Sequence, residues 1–155
     1  MPQIGGILPP ITPILNHSNG QPMTFTASPL LTQRVLSILR IVSAFLLVQH
    51  GSAKLLKFPV VPYFANLEIF SLIGFAGILE LVGGVLLLIG LFTRPVAFVL
   101  SGLLAFAYFM GHATKGFVWS PMMNGGESAV LFCFVFLYLA VAGGGVWSLD
   151  AKRGA

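Results

Sequence analysis

The residues best suited to chemistry are charged side chains inside otherwise apolar segments. Glu80 is the one charge in the apolar run 72–92, and Arg40 interrupts the run 35–53. A charge at the centre of a bilayer costs roughly 2.5–3.5 kcal/mol on insertion scales, so such residues face other helices. We predict that Arg40 and Glu80 form a buried ion pair. The pair either only joins two helices or acts as a catalytic pair that exchanges protons with a ligand.

Six further polar residues are candidate ligand contacts, because helical spacing and depth bring them to one end of the predicted bundle. They are His50, Lys54, Tyr108, His112, Asn124 and Glu127. The predicted arrangement is a polar chamber that opens at this end, away from the chain termini. Glu80 would form its floor.

Two of these candidates, His50 and His112, lie at similar depth on different helices. They could contact the carbonyls of a quinone or another small ligand, hold a metal or haem, or serve only as polar residues at helix ends. Neither histidine belongs to an HxxxH or ExxH pattern, so no metal site is predicted.

The other candidates also have simpler interpretations. Lys54 and Lys115 could attract an anionic substrate such as an oxidised sulfur species, or only extend toward water from helix ends. Asn124 and Glu127 fit the start of a helix, where an amide caps free N–H groups and an acid suits the dipole.

Composition indicates what kind of protein must position these residues. The 155 residues are 57% hydrophobic and 8% charged, with a mean hydropathy of +0.96. A soluble domain is about 25% charged, so a membrane protein is predicted, and large catalytic or nucleic-acid-binding domains are excluded. The net charge is +4, and the eight basic residues are spread one or two to a loop, which does not indicate a nucleic-acid-binding surface. The single cysteine, Cys133, cannot form an intrachain disulfide or a thiolate metal site.

Four apolar runs near the length of a bilayer crossing predict an all-α, integral membrane four-helix bundle. The predicted spans are 35–53, 72–92, 95–114 and 128–149. They form one domain, 34–150, between an irregular, proline-rich arm (1–33) and a short tail (151–155). The arm contains six prolines and no formal charge, and it could lie on the membrane surface or on a partner subunit.

Each predicted helix has one face suited to the bundle interior. On the first span this face includes Arg40 and Lys54; on the third, Tyr108 and His112. On the fourth it consists of Glu127, Leu131, Phe134 and Tyr138. Small residues around Glu80, and Gly143–Gly145 late in the fourth span, should allow helices to approach closely.

Loop charges favour cytoplasmic termini. Four crossings place both termini on one side, where Arg34, Arg94, Lys152 and Arg153 would lie, against Lys54, Lys57 and Lys115 on the other. Positive residues concentrate on the cytoplasmic side of membrane proteins.

Several short motifs, taken in order, resemble the DoxX family of small four-helix membrane proteins. They are Arg40-Ile41, Gly51-Ser-Ala-Lys54, Leu79-Glu80-Leu-Val-Gly83-Gly84, Gly90-Leu-Phe-Thr-Arg94, His112, Asn124-Gly-Gly-Glu127 and Gly143-Gly-Gly-Val-Trp-Ser-Leu-Asp150. The resemblance covers about 34–150. It implies a multi-pass protein of a prokaryotic inner membrane. Some relatives look like small subunits of thiosulfate:quinone oxidoreductase, which is the enzyme class implied if the chain has an activity.

Two functions follow as hypotheses. The first is a redox-associated subunit that binds a quinone in the polar chamber, where Arg40 and Glu80 orient and protonate it. No cofactor is expected within the chain, so a partner protein would supply electrons. The second is an assembly subunit without chemistry, whose arm 1–33 docks on a larger complex. No nucleic-acid partner is expected.

Overall fold

The computed structural model describes residues 28–154, which form helices and turns but no strand. The helices are α1 (Pro29–Leu55), α2 (Leu72–Ile89), α3 (Thr93–Ala107), α4 (Pro121–Asn124), α5 (Glu127–Ala142) and α6 (Leu149–Arg153). A π-helical turn (Tyr108–His112) and a 3-10 turn (Ala113–Lys115) extend α3. The predicted all-α fold is confirmed.

The four long helices pack as two joined pairs. Helix α1 lies against α2, α3 lies against α5, and a tight turn connects α2 to α3. Their shared core is apolar and includes Leu47, Leu87, Leu100 and Phe136. Three segments of the described chain are long and apolar enough to cross a membrane, namely Pro29–Leu55, Leu72–Ile89 and Thr93–Lys115; α5 is apolar but has 16 residues.

Helix α1 begins at Pro29, six residues before the predicted start of the first span. Ser28 caps the helix, because its Oγ accepts a hydrogen bond from the N–H of Leu31. Proline suits the first helical position, where its missing N–H would have no partner. The predicted arm 1–33 therefore loses its last residues to α1, and its residues 1–27 lie outside the described chain.

Helix α5 ends at Ala142 rather than at the predicted position 149. Gly143 has φ +90° and Gly145 has φ +73°, conformations that L side chains rarely adopt. The three glycines thus form a loop, and they do not pack within a helix as predicted. This loop, 143–148, turns back against the first turns of α1, where the N–H of Trp147 donates to Ser37 Oγ at 3.1 Å.

The prediction of which face of the fourth span points into the bundle is wrong, because that face points outward. Leu131, Phe134 and Tyr138 are 54–65% exposed, while Phe136 and Leu139 are fully buried. Helix α5 is apolar on every side, so its residue pattern does not distinguish the face that contacts lipid from the face that contacts α3.

Small residues set the spacing between α1 and α2, as predicted for Gly77 and Gly84. A Cβ atom at Gly84 would lie 2.8 Å from Val48, and one at Gly77 would lie 3.0 Å from Cβ of Lys54. Gly51 is tighter still, because its Cβ would come within 2.5 Å of the Leu81 backbone nitrogen. These close contacts fix which residues of the two antiparallel helices lie level with each other.

Candidate functional site

Glu80 and Lys54 form a buried ion pair between α1 and α2. The Lys54 ammonium donates to both carboxylate oxygens of Glu80 at 2.6 Å. The side chains are only 12% and 5% exposed. The position of Glu80 on a buried face of α2, among small residues, agrees with the prediction.

The prediction that Glu80 pairs with Arg40 is wrong, because its partner is Lys54. Arg40 lies level with Leu87 at the end of α2, and Glu80 is seven residues earlier, about 10 Å along the helix at a rise of 1.5 Å per residue. The glycine contacts instead bring Gly51 beside Leu81 and Lys54 beside Gly77. Lys54 therefore reaches the carboxylate, and Arg40 does not.

Arg40 instead binds backbone carbonyl groups at the opposite end of the bundle. It is fully buried, and its Nε donates to Gly144 O at 2.8 Å. Its Nη1 donates to Leu87 O and to Leu88 O, and its Nη2 donates to Trp147 O. Leu87 and Leu88 belong to the last turn of α2, where carbonyls lack helical partners and the helix dipole favours a cation. Arg40 thus joins α1, α2 and the loop 143–148.

Phe64, in the loop that joins α1 to α2, lies near the ammonium of Lys54. The ammonium of Lys54 lies 5.8 Å from the centre of its ring, within the range of a cation–π contact. An ammonium has three N–H donors, and Glu80 accepts two of them. Within the part of the chain that the structure describes, the third donor has no hydrogen-bond acceptor.

The two histidines have different surroundings. His50 is exposed, one helical turn before Lys54, and its ring meets Phe132 of α5 edge-on at 6.3 Å. His112 Nδ1 lies 3.3 Å from the carbonyl oxygen of Asn124, and its ring stacks on Tyr108. Among the described residues, no group of three or more His, Cys, Asp or Glu side chains could hold a metal.

Tyr108 and Asn124 belong to a buried network at the end of α3. The Tyr108 hydroxyl donates to Val118 O at 2.6 Å and accepts from Asn124 Nδ2 at 3.1 Å. Asn124 Nδ2 also donates to Phe117 O, and its Oδ1 accepts the N–H of Gly126. Because these groups satisfy one another, the network holds the loop 116–126 against the π-helical turn.

Glu127 and Lys115 are exposed at the same end. Glu127 begins α5, as its helix-start interpretation predicts. The structure thus places the six ligand-contact candidates in separate local contacts: Lys54 with Glu80, Tyr108 with His112 and Asn124, His50 with Phe132, and Glu127 at the surface.

Two cavities are found elsewhere in the described chain. One, of about 370 Å³, lies beside the loop 143–148, and the other, of about 250 Å³, is an apolar groove between α2 and α3. None of the predicted catalytic or ligand-contact residues lines either cavity.

Asp150 is a structurally important residue that the sequence reasoning missed. Its carboxylate accepts the N–H groups of Phe92 and Thr93 at 2.8 and 2.7 Å, so it caps α3 across 57 residues of sequence. Burial raises the pKa of Asp150, but the N–H and hydroxyl groups of Thr93, the N–H of Phe92 and the Arg153 cation outweigh burial and hold the pKa below its usual range. The sequence signal is the ending Trp147-Ser-Leu-Asp150, which belongs to the motifs of the resemblance but does not indicate a contact with Thr93.

Comparison with known proteins gives two matches. The family model DoxX matches residues 35–113. An uncharacterised protein of Haemophilus influenzae is 44% identical over 119 residues, which cover 76% of this chain and 89% of that protein. No solved structure matches the chain.

Proposed function

Because the chain belongs to the DoxX family of membrane proteins, we propose that it is a redox-associated membrane subunit that binds a quinone or a similar small carbonyl compound. The site is the Lys54–Glu80 pair. Ionisable residues inside membrane-spanning helices are costly and are usually kept for a function. Among the described residues, Lys54 and Glu80 are the ion pair within such helices.

The observation that carries the proposal is the uncommitted donor of Lys54. Glu80 accepts two of its N–H groups, and the third can donate to a carbonyl oxygen of the ligand. Phe64, whose ring centre lies 5.8 Å from the Lys54 ammonium, would offer an aromatic ring for the flat ring of the ligand to pack against. His50, one turn away on α1, is the candidate donor to a second carbonyl.

The residues of this chain would move protons, and a partner would supply electrons. Reduction of a quinone to a quinol takes up two electrons and two protons. The Lys54 ammonium would give one proton to a reduced carbonyl oxygen and would then be reprotonated from water, while the Glu80 carboxylate keeps the ammonium form favoured. Water would supply the second proton by way of the exposed His50. Electrons would come from an electron-donating partner protein, since the one cysteine of this chain cannot form a redox pair.

The proposal is tested by quinone titration. The full chain is purified in mild detergent, stripped of lipid with organic solvent, and titrated with short-chain ubiquinone and menaquinone analogues. Lys54→Met should weaken binding about tenfold or more, because a charge-assisted hydrogen bond to the ligand is worth roughly 1.5–3 kcal/mol. Glu80→Gln should also weaken binding, because it removes the carboxylate that positions the Lys54 ammonium. Lys115→Met is the matched control, since Lys115 is exposed. Its binding should equal that of the wild type.

Folding is monitored so that lost binding is not confused with lost structure. The double variant Lys54→Met/Glu80→Met removes both charges of the pair, so neither is left buried without its partner, and it should keep the wild-type elution volume and still fail to bind. Equal binding by the wild type and this variant would refute the proposal.

The second candidate is an assembly subunit. Exposed aromatic residues in the two loops at the Lys54 end favour it, because Phe70 is 90% and Trp119 96% exposed. Such side chains are common at protein and membrane interfaces. Under this alternative, the tagged protein recovers a partner of fixed stoichiometry from native membranes. The predicted role of residues 1–33 is tested by deleting them, which should release that partner.

We place the protein in the inner membrane, with cytoplasmic termini. The loop 143–148 meets the first turns of α1, so both ends of the described chain lie at one end of the bundle, together with Arg34, Arg94, Lys152 and Arg153. The positive-inside rule assigns that end to the cytoplasm. Fusion of alkaline phosphatase to the C-terminus should then give no activity, whereas fusion of a fluorescent protein should give fluorescence.

A further inference from the structure

Exposed apolar side chains are concentrated at the Lys54 end of the bundle, on the loops 56–71 and 116–126. Six of them are 69–96% exposed, and we call these six residues the loop surface: Phe58, Val60, Tyr63, Phe70, Trp119 and Met122. So many large apolar side chains are unusual on loops that project into water. Exposed apolar surfaces of this kind mark contact with a membrane or with another protein.

The loop 116–126 has the composition and the hydrogen bonding of a segment that lies within a membrane. It contains no charged residue. The carbonyl groups of Phe117, Val118, Ser120 and Pro121 each accept a hydrogen bond from within the protein. Irregular backbone occurs at membrane depth only where the protein satisfies its polar groups. The paired carbonyl groups of this loop meet that requirement.

Helix α5 is too short to cross the hydrocarbon core of a bilayer on its own. Its 16 residues span about 24 Å at a rise of 1.5 Å per residue, whereas the core is about 30 Å thick. Charge fixes one side of the core at the end of α5, where Arg94 donates to Val141 O. Arg34, Lys152 and Arg153 lie at the same end of the bundle. The missing length therefore falls at the other end, where α5 begins.

Two helices place the loop that precedes α5 at the same depth. Glu127, the first residue of α5, is 14 residues from Val141, which corresponds to about 21 Å. Tyr108 is 14 residues beyond Arg94, again about 21 Å. A Cβ atom at Gly126 would lie 2.6 Å from the Tyr108 ring, so the loop and the ring are level. The loop thus begins about 9 Å below the far side of the core, a depth typical of interfacial segments, which lie about 5–10 Å deep.

The charged residues at this end are compatible with that depth. Lys57, Glu68, Lys115 and Glu127 are all exposed. A lysine can extend its ammonium toward water from an apolar position, and the cost of a charged side chain falls steeply from the centre of a bilayer to its interface. Tryptophan is enriched at the level of the headgroups, which suits Trp119.

We propose that the loop surface binds the lipid bilayer and lies at the boundary between the headgroups and the acyl chains. The length of α5 and the cations at its far end set this depth, and the paired backbone of the loop 116–126 permits it. A soluble protein partner would require the loops to stand clear of the bilayer, for which α5 is too short. The proposal does not depend on quinone binding by the Lys54–Glu80 pair.

Tryptophan fluorescence tests the proposal, because the chain has two tryptophans, Trp119 and Trp147. Trp147→Phe leaves Trp119 as the reporter and should keep the fold, since Trp147 contacts Ser37 and Arg40 through its backbone. The full chain is reconstituted in phosphatidylcholine vesicles, with bromine on the upper part of the acyl chains or with iodide in the water. We expect brominated lipid to remove about half or more of the Trp119 fluorescence, and iodide to remove little.

The matched control places a tryptophan in water. Lys152→Trp, in a chain that also carries Trp119→Phe and Trp147→Phe, reports from an exposed position of α6. Iodide should quench it strongly, and brominated lipid should not. Phe70→Trp in the same background tests the loop 56–71 and should behave like Trp119.

The proposal fails if iodide quenches Trp119 as strongly as the Lys152→Trp reporter and brominated lipid does not quench it. Protection of Trp119 from iodide in native membranes, but not in vesicles of the purified chain, would also overturn the proposal, because a protein partner would then cover the loop surface.

Discussion

The ammonium of Lys54 lies 2.6 Å from both carboxylate oxygens of Glu80, between two helices that belong to the apolar part of the chain. In such surroundings the attraction between two charges is strong, but so is the cost of leaving either one alone. Most of the behaviour expected of this protein follows from that relationship.

Removing one member of the pair should destabilise the fold more than removing both. Glu80→Gln leaves the Lys54 ammonium buried without a counter-charge, and loss of one partner of a buried pair costs about 3–5 kcal/mol. Lys54→Met/Glu80→Met should recover most of that loss. Thermal unfolding midpoints in detergent measure both effects. A double variant as unstable as Glu80→Gln would contradict the expected coupling.

Arg40 should tolerate no substitution, including lysine. Its guanidinium reaches four carbonyl groups from two elements, and a lysine ammonium has neither the reach nor the planar fork to do so. Arg40→Lys should expose the loop 143–148 to protease and lower the yield of monodisperse protein. Arg34→Lys, at an exposed position of the same helix, is the control and should behave as the wild type. Normal protease resistance of Arg40→Lys would show that the carbonyl contacts are dispensable.

Asp150 should contribute stability that is lost in acid. Its pKa is lowered in the folded protein, so the folded state favours the carboxylate, and the contribution is complete above the unfolded pKa of about 3.9. It declines as pH falls through the lower folded value. Asp150→Asn should lose about 1 kcal/mol at pH 7, and its difference from the wild type should shrink as the pH falls below 3.8, as measured by unfolding at each pH. Glu127→Gln, which removes an exposed carboxylate, is the control and should leave the pH dependence of stability unchanged. If the stability difference between the wild type and Asp150→Asn did not change with pH, the proposed role of the Asp150 carboxylate would be contradicted.

The network around Tyr108 should matter for stability. Tyr108→Phe removes the hydroxyl that donates to Val118 O and accepts from Asn124, at a cost of about 1–3 kcal/mol. Tyr138→Phe is the matched control, because Tyr138 is 54% exposed. If both variants unfold at the same temperature, the Tyr108 hydroxyl does not hold the loop 116–126.

The sequence predicts the bundle well because its evidence is local. Runs of apolar residues, with prolines between them, define α1, α2 and α3, and an isolated charge such as Glu80 must face another helix. The identity of its partner could not be predicted, because it depends on how far α1 and α2 slide along each other. That register is set by backbone contacts at Gly51 and Gly77, which hydropathy does not reveal.

The fourth helix was harder to predict for another physical reason. Apolar residues continue past Ala142, so hydropathy gives no end point, and the helix ends where Gly143 takes a positive φ. The predicted inward face of this helix was missed for the same reason, because α5 turns Leu131 and Tyr138 outward.

Photo-crosslinking tests the central claim most directly. The full chain is labelled with an azidoquinone in detergent, digested, and mapped by mass spectrometry. We expect adducts on the peptides that contain Lys54, Phe64 or Glu80, and their loss with excess unlabelled quinone or in the Lys54→Met/Glu80→Met variant. Labelling spread over the lipid-facing sides of α3 and α5, and unchanged in that variant, would contradict the account.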